Sequence, residues 1–208
     1  MLPGQTIIKK CSECSGLIEE STIMSGNTFG ATFWTDGKRD APMLPDQLWH
    51  VKCPHCNTLL WIDELDKKGE VSPSGQDNPF KNTRRYKLPE FHDYISQLSN
   101  KDLDSKKENY LRFRAWWVAN DKRRGAEEKQ ELTSVERENL QALDKLLDAS
   151  DDNSRITKAE IMRELGQFEK AETLLVEPFK GGLSQAADII RELTQSKDLY
   201  VTEMKFGD

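Results

Sequence analysis

The stretches KKCSECSG (residues 9–16) and VKCPHCNT (residues 51–58) decide how this chain folds. They hold all 4 cysteines of the chain, in two Cys-x-x-Cys pairs: Cys11 with Cys14, and Cys53 with Cys56. Thiolates two residues apart chelate one metal from a tight turn. Two such turns complete a tetrahedral sulfur site, the geometry of structural Zn(II). The spacing therefore predicts one Zn(II) per chain, with Cys11, Cys14, Cys53 and Cys56 as ligands. A closed four-sulfur site leaves no open coordination position, so it holds structure rather than doing chemistry.

The composition of the 208 residues is consistent with this. Charged residues make up 32% and apolar residues 36%, enough for a modest core. No apolar run approaches the roughly 20 residues a membrane helix needs. The opening MLPGQTIIKK has no apolar core ahead of its lysines, so no secretory signal is expected. The expected location is the cytoplasm, where thiols stay reduced and paired cysteines favour a metal over a disulfide. Net charge is −6, unevenly spread: residues 131–208 carry 10 basic and 17 acidic side chains, residues 63–130 carry 15 and 13. Such a chain is a poor general polyanion binder.

Working outward from the cysteines, residues 1–62 read as β. Gln5–Lys9 leads into the first pair. Asn27–Trp34 is rich in threonine and aromatics, and Asp36-Gly37 is a hairpin signal. Leu48–Lys52 and Thr58–Ile62 flank the second pair. Residues 63–88, with Gly69, Pro73, Gly75 and Pro79 among many charges, read as a linker or extended loop. From Pro89 the period is helical. Phe91, Tyr94, Ile95 and Leu98 share a face. A second helix covers about Ser105–Asn120. Thr133 and Glu136 form a capping box that opens a third. Ile156–Leu165, Phe168–Val176 and Leu183–Leu193 follow, and the tail Leu199–Phe206 is read as a strand or a frayed end. The fold class expected is α+β: a small β domain over 1–62, a connecting stretch over 63–88, and a helical domain over 89–208.

Two resemblances extend this reading. Cys11-Ser-Glu-Cys14 and Cys53-Pro-His-Cys56 resemble the knuckles of the zinc-ribbon (rubredoxin-like) class, with Asn57 where Gly is usual and Ser15 ahead of Gly16. The resemblance covers roughly residues 5–62 and implies a small β ribbon around one Zn(II). Iron, as in rubredoxin, is the alternative metal. Ala159 to Ala171, AEIMRELGQFEKA, resembles part of a tetratricopeptide (TPR) unit, which implies a helical hairpin around residues 154–177. Pro178 falls where the second helix of such a unit should still be running. The architecture as a whole resembles bacterial proteins that join a zinc ribbon to a TPR-like helical region.

Other candidate residues are read as binding rather than catalytic. Trp34, Lys38 and Arg39 lie in WTDGKRD (residues 34–40), either a recognition loop or a hairpin with a solvated charged tip. Arg84, Arg85 and Tyr86 lie in a basic stretch interleaved with aromatics, as phosphate-backbone binders have. His50 and His55 flank the second knuckle but are not needed as ligands. No Ser/His/Asp or Cys/His arrangement suggests nucleophilic catalysis. The expected function is that of a non-catalytic interaction or adaptor protein with a structural four-Cys zinc site and a protein or peptide partner. The alternatives are a nucleic-acid-associated zinc-ribbon factor and a rubredoxin-like electron carrier. No membrane association is expected.

Overall fold

A computed structural model describes residues 1–73, 78–100 and 102–207. The architecture is mixed α+β, with strands concentrated in the N-terminal part and, among the described residues, six α-helices after residue 90. The chain divides into two compact units. One comprises Met1–Ala31 with Asp40–Asp93, the other Thr32–Arg39 with Tyr94–Asp208.

The first unit is built on a four-stranded sheet. β1 (Leu2–Lys10) and β2 (Leu17–Ser25) form an antiparallel hairpin whose tip is the first cysteine pair. The three-residue strands β5 (His50–Lys52) and β6 (Leu59–Trp61) form a second hairpin whose tip is the second pair. β7 (Asp66–Val71) joins the free edge of β1, and β8 (Arg84–Arg85) lies parallel to the start of β2. Sheet order is β7-β1-β2-β8. Part of the stretch read as a linker is therefore sheet: Asp66, Lys67, Gly69, Glu70 and Val71 pair antiparallel with β1. The charges of β7 mask its pairing because its charged side chains are all exposed and only Val71 is buried. The part of that stretch at residues 74–77 lies outside the described residues.

The sequence reading misses β2. Its burial alternates only weakly, since Ile18 alone is fully buried and Met24 is largely exposed. Conversely, Asn27–Trp34 is a strand only at β3 (Thr32–Trp34), with Gly30 in the left-handed region just before it. The core of this unit is Cys11, Ile18, Leu48, Val51, Cys53, Leu60 and Ile62, with Leu65 and Tyr86 packed against it. Two cysteines thus sit inside the hydrophobic cluster itself.

The second unit holds α1 (Phe91–Gln97, entering from the first unit), α2 (Ser105–Asp121), α3 (Ser134–Leu146), α4 (Asp152–Glu164), α5 (Phe168–Leu175) and α6 (Gly182–Gln195). Their starts are locally coded. Asp104 and Asp151 accept N-cap bonds from Lys107 and Ser154, and Thr133 with Glu136 makes the expected capping box. α4 and α5 form a helical hairpin that turns at Gly166, whose φ of 77° suits glycine. Ala159 and Ala171 are fully buried in it, so the helices approach closely. α5 stops at Leu175, three residues before Pro178. β3, β4 (Arg39–Asp40) and β9 (Glu203–Met204) make a small second sheet in the order β4-β3-β9. No helix among the described residues is long and apolar enough to cross a membrane.

Candidate metal centre

Each cysteine pair occupies the same local frame. The Cys11 N–H donates to Gly16 O (3.0 Å) and Ser15 N–H to Cys11 O (3.1 Å); the Cys53 N–H donates to Thr58 O (2.8 Å) and Asn57 N–H to Cys53 O (3.0 Å). The residue after the second cysteine is left-handed in both: Ser15 at φ 60° and Asn57 at φ 65°. Each turn thus needs a backbone conformation that glycine adopts without strain, and here serine and asparagine supply it. Backbone N–H groups point at the sulfurs: Gly16 at Cys14, His55 and Cys56 at Cys53, and Thr58 at Cys56. Such donors favour thiolate over thiol.

The four Sγ atoms lie within 4.8 Å of one another. Across the two turns, Cys11 Sγ is 3.9 Å from Cys56 Sγ and Cys14 Sγ is 3.7 Å from Cys53 Sγ. Sulfurs held about 2.3 Å from a central Zn(II) at tetrahedral angles stand about 3.8 Å apart. A disulfide would require about 2.05 Å. Cys11 and Cys53 are buried, Cys14 and Cys56 exposed. Burial pushes the Cys53 thiol up to about 12, while the Thr58 hydroxyl and N–H hold Cys56 down to about 6. A divalent cation removes this conflict, since it favours the thiolate at every ligand. The donor set and its spacing fit a four-sulfur metal site.

A clasp closes the two turns on each other. His55, from the second, packs closely against Gly16 of the first: a Cβ added at Gly16 would stand 2.4 Å from its Cδ2. Its Nε2 is 2.9 Å from Leu17 O. His55 thus spans the knuckles without being among the clustered metal-ligating groups. Only a small residue at position 16 permits this, and that is the signal the sequence carried. Lys87 Nζ donates to Asn57 Oδ1 (2.8 Å), and Lys52 and Lys87 exchange backbone hydrogen bonds. His50 is fully buried and its ring lies 4.6 Å from that of Trp61.

The remaining candidates fall in both units. Arg84 and Arg85 are exposed on β8; Arg85 lies over Tyr86, which packs on the cysteine-containing core. Trp34, Lys38 and Arg39 belong to the second unit. There Arg124 stacks on the Trp34 ring at 4.9 Å, Lys38 pairs with Asp121 at 2.5 Å, and Arg39 is exposed.

Asp36 anchors the turn at residues 34–39, while Gly37 and Arg39 stay exposed. The Asp36 side chain is fully buried and meets Arg124 through both oxygens, with Asn120 Nδ2 at 3.1 Å. Trp117 Nε1 donates to Asp36 O at 2.9 Å. The sequence reading placed Asp36 only as a turn residue. A buried network continues from it. Glu164 accepts from Trp116 Nε1 (3.0 Å) and Asn120 Nδ2 (3.0 Å), and Arg163 pairs with Glu160 at 2.5 Å, both side chains fully buried. Arg163 also donates to Tyr200 O and Asp198 O, holding the C-terminal tail. Burial, with Glu160 and Asp36 nearby, pushes Glu164 up to about 8. Each side chain of this network has a protein partner, although Asn120 Oδ1 is buried without a hydrogen bond among the described residues, and the geometry is that of a structural core.

No protein-family model matches this chain, and comparison with curated proteins and with solved structures gives no match either.

Proposed function

We propose that the first unit is a zinc ribbon held by one structural Zn(II) on Cys11, Cys14, Cys53 and Cys56. The protein would then be a non-catalytic interaction or adaptor protein. The observation that carries the zinc reading is the sulfur geometry: two identical turns, cross-turn separations of 3.7 and 3.9 Å, and four ligands that fill a tetrahedron. Bound Zn(II) would cross-link two hairpins whose strands are short, in a unit with little apolar core of its own. Zinc is preferred to iron because it neither needs nor supports a redox partner. The α4–α5 hairpin, with Gly166 at its turn and Ala159 and Ala171 between its helices, supports a TPR-like reading of that part. Its short second helix is the departure from the pattern.

The adaptor reading is supported by large apolar side chains left exposed in the first unit: Met24, Phe29 and Trp49. Such groups serve as anchors when a partner covers them. A nucleic-acid role for Arg84 and Arg85 is the second reading, favoured by their exposure on an edge strand. Zinc-edge X-ray absorption of the purified protein tests the first claim. Four sulfurs at about 2.3 Å are expected. Nitrogen or oxygen in the first shell would refute it. A salt titration separates the partner classes: polynucleotide binding falls steeply with added salt, whereas apolar docking does not.

A further inference from the structure

β2 is covered along only the start of its outer edge. β1 pairs with it from Leu17 to Ser25, but β8 meets only Ile18 and Glu19. Beyond them, no other strand among the described residues lies against Ser21–Ser25 on that side. An open strand edge offers unpaired N–H and C=O groups to an incoming chain. Beside this edge runs a groove of about 510 Å³, inside the first unit, lined by Ile23, Met24, Leu44 and Trp49 with Glu20 and Asp63. Met24 is 69% exposed and Trp49 41%.

The acidic groups favour one kind of occupant. Glu20 Oε2 is buried and accepts no hydrogen bond among the described residues. Lys9 Nζ forms an ion pair with it at 3.6 Å and also donates to Ile62 O at 2.9 Å. Asp63 adds a second negative charge to the same groove, and burial with that charge pushes Glu20 up. Two carboxylates against one lysine leave the groove with one negative charge in excess, which a basic side chain would balance. A second copy of this chain would not supply it, because an isologous pairing brings the same carboxylates to the same edge.

We propose that the Ser21–Ser25 edge of β2 and its groove bind an extended peptide segment carrying one lysine or arginine flanked by apolar residues. This rests on the adaptor reading above and names its site and the chemistry of its partner. The segment adds as a further strand. Its main chain pairs with β2, and alternate side chains enter the groove. The basic side chain meets Glu20 and Asp63, and an apolar neighbour two residues away covers Met24.

The test is selection of a random nine-residue peptide library, displayed on phage, against the zinc-loaded full chain, with zinc content measured on the same sample. Enrichment of peptides with one basic residue between apolar ones is expected. Their binding should move the amide resonances of Ser21–Ser25 and the Trp49 indole. Glu20→Gln and Asp63→Asn should each weaken binding by about two- to fivefold, as partly exposed charge pairs do. N-methylation of alternate peptide amides should abolish binding without touching the protein. Met24→Ser, at an exposed site, should weaken it while leaving the fold intact. Zinc-loaded protein that enriches nothing, or enriches acidic peptides, overturns the proposal and leaves the zinc ribbon standing. So does a dimer whose resonance shifts fall on β2. Protein that carries no metal refutes the ribbon instead.

Discussion

The two units differ in the polar groups they bury most deeply. The first gathers four sulfurs, two of them inside its hydrophobic cluster, while its ion pairs, Lys9 with Glu20 and Lys52 with Asp93, keep each side chain 10–18% exposed. The second buries carboxylates beside guanidiniums that already neutralise them: Asp36 with Arg124, Glu160 with Arg163, Glu136 with Arg123. The difference follows from what each can bury. The second unit has two apolar clusters, one around Trp116, Leu143 and Ile161 and one around Ala159, Phe179 and Ile190. The first has one, and its second hairpin has strands of only three residues. A unit short of core gains most from an external cross-link; a unit with helices to spare can afford internal ion pairs.

The most disruptive way to break this comparison is Cys53→Ser. Metal binding and folding are one process in small zinc modules, with apparent energies on the order of 10 kcal/mol. The first unit should therefore lose its near-ultraviolet signal and its protection from proteolysis, while helical circular dichroism persists. A parallel loss of helix would show that the two units are not independent in stability.

Next in size is Asp36→Ala. It leaves the Arg124 guanidinium, whose side chain is 6% exposed, with Asp121 as its remaining carboxylate, and should cost about 3 kcal/mol of the second unit's stability in denaturant titration. The metal content should not change. Replacing the pair together should cost less than Asp36→Ala alone, because no buried charge is then left behind.

A pH series sharpens the contrast. Glu164 is held up at about 8, so the folded second unit retains a proton that the unfolded chain releases near pH 4.5. Stability gained from that proton is full below pH 4.5 and is lost as pH rises through about 8. The helical melting temperature should therefore fall from pH 5 to pH 9, and Glu164→Gln should flatten that fall. The thiolate site runs the other way: protons compete with metal, so acid releases it. If both units lose stability in the same direction over this range, the assignment of Glu164 is wrong.

The smallest effects test the knuckles themselves. Ser15 at φ 60° carries left-handed strain that glycine does not, so Ser15→Gly should stabilise the first unit by about 1 kcal/mol in chemical denaturation. Asn57→Gly should change little. Asparagine tolerates this conformation better, and the variant forfeits the Lys87 bond to Asn57 Oδ1. Equal effects at both positions would contradict this difference between serine and asparagine.

How much of this was legible depended on whether the signal was local. The metal cluster was readable because two ligands come from each turn and the spacing alone brings them together. The helix starts were readable for the same reason: Asp104, Thr133 and Asp151 cap what immediately follows them. β2 and β7 were not, because their pairing is with β1, the exposed positions of β7 are charged, and the hydrophobic alternation of both is too weak to mark a strand. Asp36 was read as a turn residue, since Asp-Gly signals a hairpin and nothing in WTDGKRD says that the carboxylate meets Arg124, 88 residues away. His55 was read as unneeded for the metal, donating to a thiolate or facing solvent. Its actual role, covering Gly16, required knowing that the two turns face each other.

The central claim is that the four cysteines share one metal, and elemental analysis with thiol titration before and after chelation tests it most directly. The account predicts one zinc per chain and four thiols that react only after the metal is removed. A metal-free protein with four freely reactive thiols, or with two disulfides, would contradict it.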